Sequence, residues 1–294
     1  MRLPISHPQA DRCVALSPLP VCARLKYLQG MSDRLCTPLV ALGNVYEVFV
    51  KLLALLAVTF LVNLIKAEDQ PLPGRQVERS LSVSDGGKMP YLIYLPSDYT
   101  AKGKEVPFIL FLHGRGESRG PLSLVTKWGP PRRLDAGEQM KYIVVSPQCP
   151  IESRWASDDQ QARLKELLAY LDEAYNIDKD RMYLTGLSMG GYGSWRLAAD
   201  EPEMFAAVAP ICGIGDPADA KKLLRVPIWA WHGTDDNSVP LSGALDMIKA
   251  IAAAGGKRAR LTTLEHVGHN SWSAAYQPND LYKWFDLHTA SGNN

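Results

Sequence analysis

The sequence predicts an α/β fold, a mostly parallel central sheet of about eight strands with helices on both faces. Three observations lead there. Short, wholly apolar runs recur between residues 76 and 265. Segments with helical apolar spacing separate them, as parallel strands joined by crossover helices require. A glycine-flanked serine sits between one such run and one such helix.

Residues 76–84 and 90–95 (PYLIYL) read as an opening strand pair, and Asp85-Gly86-Gly87 between them is turn chemistry. Residues 107–112 (PFILFL) and 142–146 (YIVVS) are continuous apolar runs, as expected of strands buried on both faces. Residues 158–175 place Leu164, Leu167, Leu168 and Leu171 on one face of a helix. A strand follows at 181–187 (RMYLTGL), a helix at 188–199, and strands at 206–211 (AAVAPI) and 226–231 (VPIWAW). A helix at 241–254, a strand at 258–265 and a helix at 279–288 complete the pattern. No repeat or linker interrupts 76–288, so residues 68–294 are expected to form one domain.

Composition narrows the function classes. The chain has 294 residues, 46% of them apolar and 21% charged, which excludes disorder, collagen and a disulfide scaffold. A net charge of +1 leaves no electrostatic footprint for nucleic acid. That charge is unevenly spread. Residues 1–67 hold seven Lys/Arg and three Asp/Glu; the remainder holds 25 and 28. Lys51 precedes an uncharged apolar core at 52–65 (LLALLAVTFLVNLI), too short for a membrane span of about 20 residues. A basic flank, an apolar core and a small residue before the cut form an export signal. Cleavage is expected after Ala67, with Glu68 the mature N-terminus. The stretch upstream of Lys51 exceeds an ordinary basic flank and suggests a later translation start, near Val48, Val50 or Met31. The competing expectation is an uncleaved signal anchor over 45–65, which Glu47 and Lys51 oppose. The body is thus expected outside the cytoplasm and not inserted in the membrane, with tethering as the alternative. Beyond the leader only Cys149 and Cys212 remain, too few for a disulfide framework. No Cys-x-x-Cys or His-x-x-x-His spacing suggests zinc, so no metal or cofactor is expected.

The chemistry centres on Gly186-Leu187-Ser188-Met189-Gly190. Such a pattern arises by chance in about one chain of this length in ten, so its strand–turn–helix context carries the argument. The tight turn lifts the Ser188 hydroxyl to the sheet edge, and the helix N-terminus points N–H groups toward it. A serine hydroxyl needs a base to take its proton. On this architecture the acid and the histidine follow the serine in that order. After the strand VPIWAW comes His232-Gly233-Thr234-Asp235-Asp236, where Asp236 is the expected acid and Asp235 a turn residue. After the last strand come His266 and His269; His269, following a glycine in a loop, is the expected base, and His266 is expected to be structural. His113 and His232 are expected to be hydrogen-bonded structural residues. Acyl transfer also needs backbone donors for the developing oxyanion. The expected donors are the N–H of Met189 and that of Arg115, with Gly114 or Gly116 as alternatives to Arg115, in the loop His113-Gly114-Arg115-Gly116-Glu117. Glu117 and Arg119 are expected to pair with each other or with nearby backbone.

HGRGESRG, KWGPPRRL, VVSPQCP, GLSMGGYGSWRLAADEPEMFAAVAPICG, HGTDDNSVP and GHNSW together resemble the α/β-hydrolase superfamily. More narrowly, they look like its secreted bacterial esterases and predicted peptidases, which are related to phospholipase/carboxylesterases, feruloyl and polyhydroxybutyrate-depolymerase-like esterases, and prolyl-oligopeptidase catalytic domains. The resemblance spans residues 76–288. It implies an α/β-hydrolase fold, Ser188 as nucleophile, Asp236 as acid, His269 as base, and Met189 and Arg115 as oxyanion donors. It implies a serine hydrolase of small-molecule carboxylic esters. A small serine peptidase and a non-catalytic binding protein on the same scaffold are the alternatives. Of the seven tryptophans, Trp195, Trp229 and Trp231 are expected in the core. Trp128, Trp155 and Trp272 fall in loops at the catalytic edge or beside His269, and Trp155 and Trp272 are the expected substrate walls.

Overall fold

The computed structural model describes residues 50–53, 71–277 and 279–293. Its strands are β1 (Gln76–Ser82), β2 (Lys88–Tyr94), β3 (Val106–Leu112), β4 (Ile143–Pro147), β5 (Ile177–Leu187), β6 (Ala207–Ile211), β7 (Ile228–Gly233) and β8 (Ala259–Leu264). They form one eight-stranded sheet in the order β1-β2-β4-β3-β5-β6-β7-β8. The hairpin β1–β2 and the β2–β4 pair are antiparallel; β4, β3 and β5 through β8 run parallel.

The apolar runs become the central strands because both faces of the sheet are covered. Along β3, Phe108, Leu110 and Leu112 enter one core cluster, while Ile109 and Phe111 enter the other. Leu184 of β5 joins the first cluster, and Tyr183 and Leu187 join the second. Every one of these side chains is 2% exposed or less, so no polar alternation survives in the sequence. Each such burial stabilises the fold by about 1.5–3 kcal/mol.

Helices α1 (Gly129–Asp135), α2 (Asp158–Ala174), α3 (Met189–Asp200), α4 (Leu241–Ala253), α5 (Trp272–Tyr276) and α6 (Asp280–Phe285) cover the sheet. On α2 the four leucines singled out by spacing all face the core. Helix α1 accommodates Pro130 and Pro131 because they occupy its first turn, where the missing N–H groups would have no intrahelical acceptor. The expected final helix at 279–288 is shorter, ending at Phe285, and α5 precedes it without having been expected. With five residues, α5 is too short for a 3.6-residue period to register. Residues Pro71–Asn294 form one compact unit. Among the described residues no helix is long and apolar enough to cross a membrane. The leader's cleavage point and its apolar core lie outside the described residues, except that 52 and 53 are helical and exposed.

Candidate active site

Ser188 sits between β5 and α3 with φ +52° and ψ −116°, a conformation a non-glycine residue rarely adopts. The turn survives because its neighbours lack side chains. A Cβ on Gly190 would run into the carbonyl oxygen of Leu112 at the end of β3, and one on Gly186 would lie 2.5 Å from the Gly190 carbonyl oxygen. Ser188 N–H donates to Ile211 at 2.9 Å, tying the turn to β6. Tyr192 N–H closes the first α3 turn on the Ser188 carbonyl, so the N–H of Met189 has no acceptor within the helix.

Three residues from three strand ends meet here. Ser188 follows β5, Asp236 follows β7, and His269 follows β8. His269 Nδ1 is 2.8 Å from Asp236 Oδ2, and His269 Nε2 is 2.9 Å from Ser188 Oγ. Asp236 Oδ1 accepts N–H bonds from Ser238 and Val239, both at 2.9 Å. Burial works against a charge on Asp236, but the bonds from His269, Val239 and Ser238 together outweigh it and hold the carboxyl below its ordinary range. An ionised carboxylate can only accept, so Nδ1 carries the imidazole proton and the Nε2 lone pair faces the serine hydroxyl.

The loops after β7 and β8 are fastened to each other. Asp235 N–H donates to Val267 at 3.0 Å, Thr234 N–H to Leu264 at 3.0 Å, and His266 N–H to Thr234 Oγ1 at 2.9 Å. Gly233 lies beneath this crossing, where a Cβ would meet the Val267 carbonyl. His232 is fully buried behind Asp236, its Nε2 bonded to the Val239 carbonyl at 2.9 Å and 3.3 Å from Asp236 Oδ2. His266, expected to be structural, is instead solvent-facing, with φ +57° and a side chain 91% exposed. The backbone turns outward there to start the loop that returns His269.

The loop after β3 is held from behind. His113 Nδ1–H donates to the Gly114 carbonyl at 2.6 Å, and Nε2 accepts the Cys149 N–H at 3.0 Å. Burial drives the His113 pKa down to about 4, so the ring is neutral. Gln148 Nε2 donates to the carbonyls of Glu117, Gly120 and Pro121. Arg115 opens the turn Arg115–Ser118, and its guanidinium donates to the Ser153 carbonyl at 2.7 Å. Glu117 is buried with its carboxyl folded toward Gly114, and burial raises its pKa. No ion pair joins it to Arg119 among the described residues. The anchoring roles of Gln148 and Glu117 were not read from sequence, because nothing in their local pattern distinguishes them.

Trp155 is a correction. It is fully buried, its indole N–H donates to the His113 carbonyl at 3.0 Å, and it packs on Gly193. It supports the loop after β3 from inside and presents no surface to a substrate. Trp272 stays partly exposed beside the imidazole, its ring centre 5.3 Å from that of His269. Trp128 lies 5.6 Å from Trp272 on the other side. Cys149 and Cys212 are both buried free thiols. Cys212, Asp236 and His269 bring one potential ligand atom each within 4.8 Å. Burial pushes the Cys212 thiol up to about 12, and a protonated thiol is a poor metal ligand.

Comparison with known proteins gives a consistent picture. The "Esterase" family model matches residues 82–280. A bifunctional acetylxylan esterase/xylanase of Neocallimastix patriciarum is 28% identical over 49% of this chain and 21% of its own length. A poly(3-hydroxyoctanoate) depolymerase of Pseudomonas fluorescens is 28% identical over 50% of this chain and 59% of its own. The crystal structure of a thermostable esterase superposes with a TM-score of 0.65 at 29% identity, covering 73% of this chain and 63% of that one. The chain spans less than two thirds of the length of each of these three.

Proposed function

The chain belongs to the Esterase family of α/β-hydrolases and is a hydrolase; from that premise we propose that it cleaves carboxylic esters through an acyl-enzyme on Ser188. The observation that carries the proposal is the single imidazole that touches both Asp236 and Ser188, at 2.8 and 2.9 Å. His269 Nε2 takes the Ser188 proton as Oγ attacks the ester carbonyl. Asp236 keeps the imidazole in the required tautomer and stabilises the cation that forms. The oxyanion is met by the N–H groups of Met189 and Arg115. His269 then hands its proton to the departing alcohol, and a water activated by the same ring releases the acid.

Residues 68–294 act as one catalytic domain, exported by the basic and apolar leader, on small ester substrates. Trp272 forms a wall of the substrate cleft. A fluorophosphonate probe tests the core of the reading. The wild-type protein should be labelled and Ser188→Ala should not. Labelling of both to the same extent, or of neither, refutes Ser188 as the nucleophile. A parallel panel of p-nitrophenyl esters and peptide anilides separates esterase from peptidase.

A further inference from the structure

We propose that the cleft between Trp128 and Trp272 is a subsite for the alcohol half of the ester, selecting alcohols that carry a negatively charged group, with Arg132 as the specificity-determining residue. The inference rests on the ester-hydrolase reading above.

Position assigns the half of the ester. The departing oxygen must receive its proton from His269, so the alcohol lies on the imidazole side of Ser188. Trp272 stands edge-on to that imidazole and also lines a cavity of about 240 Å³. Trp128 forms another wall, its ring inclined 60° to that of Trp272. An apolar cavity of about 150 Å³ holds benzene, so this one has room for a substituted ring. Ser188 and His269 do not line it, so the alcohol must be long enough to pass over Trp272.

Charge assigns the chemistry. Two cations lie against the Trp128 ring, Arg132 at 5.4 Å and Lys127 at 5.6 Å from its centroid. Arg133, the other arginine of the cleft, is already committed to Glu138 at 2.7 Å and to Asn279 at 2.9 Å, and it stacks on Tyr282. Arg132 is exposed, and its guanidinium makes no ion pair or hydrogen bond among the described residues. The one carboxylate lining the cavity, Glu138, is held by Arg133, and Lys127 outside the cavity feels Glu117, so the Arg132 guanidinium is the cavity's charge without a carboxylate partner among the described residues and disfavours a cationic alcohol. A neutral ring would need only the indoles, whereas an anionic group answers the unpaired guanidinium, which favours a carboxylate in fork geometry.

The test compares 4-acetoxycinnamate with its methyl ester. Both deliver acetyl to Ser188 from a phenol of similar reach, and only the first carries a carboxylate. Arg132→Gln should lower kcat/KM for the carboxylate about fivefold, chiefly through KM, while leaving the methyl ester within about twofold. Raising salt to 0.5 M should erase most of the wild-type preference, and Arg132→Lys should retain part of it. Because the Arg132 guanidinium is exposed and its described contact is with the Trp128 ring, the variant should keep a Tm close to the wild type. If both esters are hydrolysed with a ratio that Arg132→Gln and salt leave unchanged, the subsite inference is overturned and the hydrolase reading stands. Labelling of Ser188 without hydrolysis of either ester also overturns the inference. Absence of both hydrolysis and labelling marks failure of the hydrolase reading itself.

Discussion

Replacing Asp236 by asparagine removes a charge but preserves shape, and the structure dictates how the amide must sit. Oδ1 faces two main-chain N–H groups, from Ser238 and Val239. An amide NH2 cannot face two donors, so its oxygen takes that side and its NH2 turns toward His269. The imidazole must then accept at Nδ1, which moves its proton to Nε2. The atom that should receive the Ser188 proton now carries one, and the base is lost. The expected fall in kcat is roughly 10⁴, the size of the same tautomer error in another serine hydrolase, or about 5 kcal/mol of barrier. Loss of Ser188 or His269 should cost more, on the order of 10⁶. KM should move little, because no atom of Asp236 is expected to touch substrate. Asp235, which bonds Thr234 Oγ1 at the surface, provides the control. Asp235→Asn should stay within about twofold. Steady-state hydrolysis of p-nitrophenyl acetate reads both variants. If Asp236→Asn keeps more than a tenth of the wild-type kcat, or Asp235→Asn is the more damaging, the acid has been wrongly assigned.

Stability should depend on pH through His113. Its folded pKa of about 4 lies below the unfolded value of about 6.5, so the unfolded chain binds the proton first. Stability from this ring is full above pH 6.5 and is lost as pH falls toward 4, by on the order of 3 kcal/mol. Urea unfolding should show that slope in the wild type, and His113→Asn, although less stable at pH 7, should flatten it. Trp155→Phe should lower Tm through the lost bond to His113 while leaving KM within about twofold; a large KM change with unchanged Tm would restore Trp155 as a substrate wall. Expressed with its leader in an exporting host, the protein should yield a mature N-terminus at Glu68 by mass spectrometry, and an intact N-terminus at Met1 would refute cleavage.

Much of the fold is legible in the sequence because the central strands are buried on both faces. A run such as PFILFL, six residues long and followed by Gly-rich loop sequence, fits a doubly buried strand better than a helix, which needs about ten or more. Ser188, Asp236 and His269 were legible for a different reason. Each lies just past a strand, and parallel strands deliver their C-terminal ends to one edge, so order along the chain becomes proximity in space. What escaped the sequence depends on side-chain direction. Trp155 and Trp272 both lie in loops near the site, yet one is sealed beneath the loop after β3 and the other stands at the cleft. Linear spacing carries no information about which way a loop residue turns. Gln148, which gathers three carbonyls of another loop, and His266, which faces outward, escaped for the same reason.

The fastening of the β7 and β8 loops has a consequence for biosynthesis. Asp236 gains its partner only when β8 docks in register on β7 and Val267 crosses Gly233. On the proposed mechanism, the nucleophile Ser188 is thus synthesised 81 residues before the histidine that would activate it. On that reading a nascent or unfolded chain would carry an inert serine, and hydrolytic capacity would arrive with the docking of the last strand. Were the leader to export the chain before it folds, as the proposed location would allow, the serine would stay silent until β8 docks.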